Sequence, residues 1–367
     1  MRRLFDGYST EMLWVMTTRD ALKAATSNDP LPSAERQIAI PQVHFNRRWI
    51  GTAVSLLNRL LIPWIIWRGV SLVRKEKIQA LFTVPWDHFS IAAYFIHRVT
   101  RRPLYMYVMD DPLGNRSFGP FHAPLYKLLM PRIVRSSRRT WGVSDGMCEY
   151  LAQTYGVECS PLLPLVNVAE FRRRDTADNA SDREFQLVYT GSIYSAQLDA
   201  LRRLIKILSD NETGPMQMRL TIYTSLQEPV LKRMGLMGRN TRRDEVKTED
   251  MPRVLAEADC AFLPLSFDPG MRHVVETSFP SKIAEYLAAG VPILVHAPSY
   301  SSVSRYCRKH NCGLVVDEPD ETQLREALIR LRTDAALRED LSAKAVEVAR
   351  KNHDANQIAA AFLQQMC

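Results

Sequence analysis

The sequence has no Cys-x-x-Cys pair. Its six cysteines, Cys148, Cys159, Cys260, Cys307, Cys312 and Cys367, are scattered over 367 residues. That spacing suggests neither a zinc site nor a disulfide framework and fits a reduced, cytoplasmic setting. There is no low-complexity tract and no internal repeat, so neither a repeat array nor a biased linker accounts for the length. The opening residues, "MRRLFDGYST", carry no apolar h-region and do not read as a signal peptide. The most membrane-like stretch, 49–73, is broken by Asn58, Arg59 and Pro63, which argues against a spanning helix. A G-x-G-x-x-G fingerprint with its following acidic residue is also missing, which counts against a nicotinamide-dependent enzyme.

What is present is the composition of a folded protein, 46% hydrophobic and 24% charged, long enough for two domains of about 150 residues each. The net charge of +8 is uneven. Residues 1–167 hold 21 Lys/Arg against 12 Asp/Glu, and the remaining 200 hold 27 against 28. A basic first half suits an anionic partner, either a membrane surface, a phosphorylated lipid or a nucleic acid. It is equally the pattern of a solvated basic face. No nucleic-acid motif accompanies the charge, so that partner is set aside.

The second half alternates strands and helices. "FQLVYTGSIY" (185–194) is a buried strand breaking into a turn, followed by the helical "AQLDALRRLIKILSD". Strands follow at 218–225 and 260–265, in "VPILVHA" and in "CGLVVD", with a short strand in "DEVK" and a helix after Thr248 as N-cap. "ETQLREALIRLRTD" and "AALREDLSAKAVEVARKN" close with helices. Strict alternation predicts a parallel sheet with helices on both faces. Ligands then bind beyond the carboxyl ends of the strands. The first half is similar, with strands in 11–18, 78–85, "PLYMYVMDDP" and "TWGVS". The expected domains are 1–167 and 185–353, with a polar linker at 168–184 and a detached helix at 354–367 that packs back on the first domain. Two doubly wound domains joined in this way face a central cleft.

Three places carry the chemistry. At Gly191-Ser192 a glycine lets backbone approach a ligand, and the helix start beyond offers free N–H groups to phosphate. An ordinary strand-to-helix turn reads the same way. "SFPSKIAEYLAAGVPIL" (278–294) predicts a helix over about 280–289, capped by Ser278 or Ser281 and ended by Gly290, with Pro292 opening the next strand. Lys282 in the first turn opposes the helix dipole, a cost that a bound anion cancels. Glu285 lies on the same face and is placed to accept from vicinal hydroxyls. A solvated Lys–Glu pair is the plain alternative. In the first half Asp110 and Asp111 end a strand, with His88 and His122 the nearest loop histidines. An aspartate there orients an acceptor hydroxyl or takes its proton, or it simply caps a turn. "HFNRRW" (44–49), the tryptophans at 49, 64 and 67, and Arg68, Arg74, Lys75 and Lys77 fit a monotopic membrane contact over 44–77. An ordinary amphipathic helix fits them too.

The stretch 278–294 resembles the donor segment of GT-B glycosyltransferases akin to family 4, which carry Pro-Ser-Lys-x-x-Glu-Tyr and then Ala-Gly-x-Pro. "VYTGSI", "MPRVLAEADCAFLPL", "CGLVVDEPDETQLREALIRL" and "WGVSDGMCEYLAQTYGVECSPLLPLVN" resemble other parts of that group in the same order, over about 137–335. The resemblance implies a GT-B fold of two Rossmann-like domains. It also implies retaining, metal-free transfer from a nucleoside-diphosphate sugar to a glycan or lipid-linked acceptor, in surface polysaccharide or glycolipid synthesis. In this sequence Gly191, Ser192, Ser281 and Lys282 would hold the diphosphate, Glu285 the ribose, and Val246 would flank the base. No cofactor is implied, and the location is the cytoplasm or the inner membrane face. The sequence departs from the group in three ways. Thr277 stands where many members have a first glutamate, with Glu276 one residue off. No Arg or Lys follows the first donor strand before Arg202. The opening strand, glycine loop and helix are missing before Glu11, so either the sequence begins at an internal methionine or the N-terminal domain lacks its first β-α unit. Two other readings use the same fold, an inactive binding or scaffold protein and a nucleotide-sugar epimerase.

Overall fold

A computed structural model describes residues 2–5, 10–18, 36–40, 60–85, 88–111, 123–171, 183–210 and 217–366. "HFNRRW", His122 and most of the expected linker lie outside them. The chain divides into two compact units, Leu4–Leu162 with Ala359–Cys367, and Leu163–Ile358.

In the N-terminal unit a parallel pair, β1 (Val15–Thr18) and β2 (Gln37–Ile40), packs on α1 (Ile62–Lys75) and α2 (His88–Thr100). Ile40, Ile65 and Ala92 form that core, with Met16, Ile38 and Phe89 around it. Gly69 lets the two helices close up, since a Cβ there would lie 2.3 Å from Ile96 Cδ1. The expected strand over 11–18 starts late, because Thr10–Met12 is a 3-10 turn. β2 had no counterpart in the sequence reading. Among the described residues this pair is separate from the main sheet. That sheet runs β3 (Leu81–Thr83), β4 (Leu104–Val108), β5 (Arg139–Gly142), β6 (Cys159–Pro161), all parallel. α3 (Ala123–Ser136) and α4 (Asp145–Tyr155) complete it. α4 is capped at both ends. Ser144 accepts from Met147 N–H, and Gly156 at φ 65° closes the C-terminus.

The C-terminal unit follows the alternation expected of it. β7 (Phe185–Thr190), α5 (Ser195–Ser209), β8 (Met218–Tyr223), α6 (Glu228–Arg233) and β9 (Thr241–Asp244) come first. Then come α7 (Met251–Glu257), β10 (Cys260–Pro264), α8 (Arg272–Thr277), α9 (Lys282–Ala289), β11 (Ile293–His296), α10 (Ser302–His310) and β12 (Leu314–Val316). α11 (Glu321–Thr333), α12 (Ala335–Asn352) and α13 (Ala355–Gln364) close the chain. The sheet order is β9-β8-β7-β10-β11-β12, all parallel. This is the 3-2-1-4-5-6 doubly wound order, and its switch point lies between β7 and β10. The central strands β10 and β11 are buried throughout and β7 nearly so, and they read as apolar runs, whereas the edge strand β9 is polar and partly exposed. Phe185, Leu187 and Tyr189 pack with Leu201, Leu204 and Leu208 of α5.

Two local expectations, the short strand and the cap of α9, are corrected. The short strand is 241–244 rather than "DEVK", and α8 had not been foreseen. α9 starts at Lys282, and neither serine caps it. Ser281 is itself helical in backbone and makes no side-chain cap, while the Ser278 hydroxyl donates to the Val274 carbonyl at the end of α8. Cys148 and Cys159, scattered in sequence, have their sulfurs 2.6 Å apart where α4 meets β6.

The division between the units falls at Leu162/Leu163 and again inside α13. The last turns of α13 belong with the N-terminal unit, where buried Phe362 meets Phe82 and Trp141 at ring distances of 5.8 and 4.8 Å. Tyr105 donates its hydroxyl to the Met366 carbonyl at 2.9 Å. Phe362→Ala should therefore cost the N-terminal unit about 3–5 kcal/mol, read as an earlier first transition in urea. An unchanged transition would show that the returning helix is not part of that core.

Candidate functional site

The C-terminal unit builds a site at its switch point from two segments. The first is the end of β7. Gly191 follows Thr190 at φ 95°, a backbone that L side chains rarely adopt, and its N–H donates to Tyr223 O at 2.8 Å. Two buried tyrosines hold the turn. Tyr189 donates its hydroxyl to Ser192 O at 2.6 Å, and the Tyr286 hydroxyl accepts from Thr190 N–H at 3.0 Å while sitting 3.1 Å from Thr190 Oγ1. Gly191 and Ser192 themselves are exposed.

The second segment is the start of α9. Lys282 reaches back over the turn, with its Nζ 3.6 Å from the centroid of the Tyr189 ring. A Cβ built on Gly191 would lie 3.7 Å from Lys282 Cε and 3.8 Å from Nζ, so the glycine and the ammonium share one small space. Lys282 keeps some open surface, yet its ammonium end is packed in. Desolvation lowers its pKa to about 7, with the Glu285 carboxylate pulling the other way. Glu285 is one turn on and half-buried, and Tyr286 is fully buried beneath the turn. Burial pushes the phenols of both Tyr189 and Tyr286 upward. Glycine backbone, a helix start, a cation and a carboxylate one turn inside therefore converge in one unit. Together they suit a ligand with an anionic group and hydroxyls.

The surroundings are fixed by other bonds. The loop after β10 is tied to the first turns of α5 through Ser266 N–H to Ala196 O and Phe267 N–H to Asp199 Oδ2, each 2.8 Å. Arg202 donates to Met234 O at 2.8 Å, and Arg203 lies over Phe267 and 3.2 Å from His296 Nε2. Arg202 and Arg203, the first basic residues along α5, thus have other partners. Because Arg203 only donates, His296 Nε2 accepts and Nδ1–H donates to Val316 O at 3.1 Å. Burial, the largest cause, holds this histidine neutral, with a pKa of about 4.

The other residues singled out in the sequence are placed as follows. Ser281 is exposed beside Lys282. Val246 is half-buried just after β9, whose Arg243 donates to Thr224 O and Leu226 O. Thr277 is buried and returns its hydroxyl to His273 O at 2.8 Å, while half-exposed Glu276 faces Arg272. Asp110 and Asp111 belong to the N-terminal unit and are not among the residues brought together here. Asp111 is buried and accepts from Tyr150 O–H at 2.8 Å, and Asp110 is half-buried beside it. His88 opens α2. Sequence reading passed over Tyr189 and Tyr286. Their signal was a phenol inside an otherwise apolar run, which needs a hydrogen-bond partner once buried.

Residues 184–334, the body of the C-terminal unit, match the family model for glycosyl transferases group 1. No curated protein sequence matches the chain. Among solved structures it resembles HepE from Anabaena in complex with UDP and glucose, with a TM-score of 0.71 and 12% identity over 99% of this chain and 94% of that one. Sucrose-phosphate synthase from Thermosynechococcus elongatus follows with 0.65 and 14%, over 95% and 87%. WaaG, a glycosyltransferase involved in lipopolysaccharide biosynthesis, gives 0.57 and 15%, over 90% and 85%. The fold is GT-B, two Rossmann-like units in one chain.

The depressed Lys282 pKa makes a prediction about stability. The folded value of about 7 lies below the usual 10.5, so the unfolded chain holds the extra proton between them. The charged lysine then opposes folding below about pH 7, and that cost is relieved as pH rises towards 10.5. Compared with Lys282→Met, the wild type should gain stability between pH 7 and pH 10 in denaturant titrations. A difference that does not change with pH would contradict the desolvated ammonium.

Proposed function

We propose that this GT-B chain is a glycosyltransferase that moves a sugar from a nucleoside-diphosphate sugar to a glycan or lipid-linked acceptor. The observation that carries the reading is Lys282 resting beside Gly191 at the switch point, with Glu285 on the same helix face. In this reading Gly191, Ser192, Ser281 and Lys282 hold the diphosphate, Glu285 accepts from the ribose hydroxyls, and Val246 flanks the base. As the sugar bond breaks, negative charge grows on the leaving diphosphate. Fixed backbone donors and the Lys282 ammonium stabilise it there, which is electrostatic catalysis without a metal. Transfer is assigned as retaining, and the pathway as surface polysaccharide or glycolipid synthesis. Asp110, next to the Asp111 held by Tyr150, is assigned to the acceptor hydroxyl.

Glu285→Ala should weaken binding of the preferred nucleotide sugar by about 1.5–3 kcal/mol, measured by calorimetry after a screen of UDP- and GDP-sugars, with binding unaffected by EDTA. Affinity unchanged by the substitution would remove Glu285 from the ribose. Failure of every nucleotide sugar to bind would remove the function.

The acceptor side of the proposal rests on α1. Its buried residues, Ile65, Gly69 and Val73, face the core, and its exposed stripe runs from Leu60, Trp64 and Trp67 to Arg68, Arg74 and Lys75. No described helix is long and apolar enough to cross a membrane. An aromatic end followed by a basic end suits a helix lying in an anionic bilayer surface, which supports the reading of an enzyme that works at the cytoplasmic membrane face. Co-sedimentation should need anionic vesicles and fall as salt rises. Equal behaviour with neutral vesicles, or no binding at low salt, would leave α1 as an ordinary surface helix.

A further inference from the structure

We infer that Tyr189 is a positioning residue whose ring face holds the Lys282 ammonium in place while its hydroxyl holds the Gly191–Ser192 turn. The inference rests on the reading of Lys282 as the diphosphate contact. The geometry carries it. The ammonium stands 3.6 Å above the Tyr189 ring centroid, and the Tyr189 hydroxyl donates to Ser192 O at 2.6 Å. One buried tyrosine thus ties both halves of the site to β7. The ring presents its negative face to a cation, an interaction strongest where water is excluded.

The charges around Lys282 make the platform matter. From its own helix the facing charge is Glu285. From β7 come the ring and the backbone of the turn. The two phenols nearest it stay neutral where the lysine titrates, because burial raises both. Desolvation alone pulls the lysine towards losing its proton near neutral pH. The ring opposes that loss without adding a negative charge that would repel an incoming diphosphate. An aspartate or glutamate beneath the ammonium would keep it charged as well, but would repel the ligand. A π face serves both needs.

The test separates the ring from the hydroxyl. The pH dependence of Lys282 acylation in ligand-free protein, read by peptide mass spectrometry, gives the lysine midpoint directly. Tyr189→Phe keeps the ring and should leave the midpoint within a few tenths of a unit. Tyr189→Leu should lower it by about one unit, the size of a desolvated cation–π contact. Tyr189 is fully buried, so the leucine variant risks misfolding. A ring-trifluorinated phenylalanine at 189 keeps the shape, removes the negative face, and should lower the midpoint as leucine does. A midpoint unmoved by the fluorinated ring, or lowered as far by phenylalanine, would overturn the inference. UDP affinity measured from pH 6 to 9 gives the second readout. Where the platform is lost, affinity should begin to fall at a pH about one unit lower. If the wild type binds no nucleoside diphosphate, the proposed function fails, and the acylation midpoints still decide what Tyr189 does.

Discussion

The candidate site of the C-terminal unit is organised around one contact, the ammonium of Lys282 lying on the ring of Tyr189. A lysine in the first turn of a helix is out of place by dipole, since that end repels cations. Packing its charge away from water adds a second penalty. A π face below and a carboxylate one turn along oppose them only in part, since desolvation still lowers the lysine pKa to about 7. The arrangement sets a lysine against a glycine turn whose residues Gly191 and Ser192 are exposed. A cation held beside an exposed glycine turn is the physical reason for reading the corner as a ligand site.

Topology decides where this corner stands. In the order β9-β8-β7-β10-β11-β12 the chain leaves β7 in one direction and returns through β10 on the other side. The turn after β7 is therefore not covered by the next crossover. The surrounding bonds make it rigid. Tyr189 and Tyr286 fix the turn from below, and the Asp199 contact to Phe267 N–H anchors the neighbouring loop. A site held in this way binds charge without first reorganising. Arg202 and Arg203, the nearest basic residues downstream, are bonded elsewhere. Lys282 is thus the basic side chain that the described residues place at the turn.

Much of this was legible in the sequence, and the reason is physical. Parallel strands buried on both faces leave apolar β-branched runs, so β7, β8, β10 and β11 were visible. Gly290 and Pro292 marked the end of α9 and the start of β11 as left-handed and extended backbone require. Lys282 and Glu285 stood out because they break the apolar pattern of a core helix. The misses have equally particular causes. β2 is four residues long and pairs across a gap in sequence that no periodicity spans. Ser278 was read as a cap, but its hydroxyl was taken by the carbonyl of a helix that had not been foreseen. Cys148 and Cys159 are eleven residues apart on different elements, so only the packing of α4 on β6 brings them together. Tyr189 passed as one more residue of an apolar strand, because its phenol calls for a partner without saying which, and the contact with Lys282 arises only in the fold. The site's residues were legible, and the part that holds them in place was not.

The central claim is that a diphosphate binds between the Gly191–Ser192 turn and Lys282. A crystal structure of the full chain grown with UDP tests it most directly. The account predicts the diphosphate within hydrogen-bond distance of the Ser192 backbone N–H and of Lys282 Nζ, packed against Gly191, with the ribose hydroxyls on Glu285. UDP bound elsewhere on the molecule, or absent from this turn at saturating concentration, would contradict it.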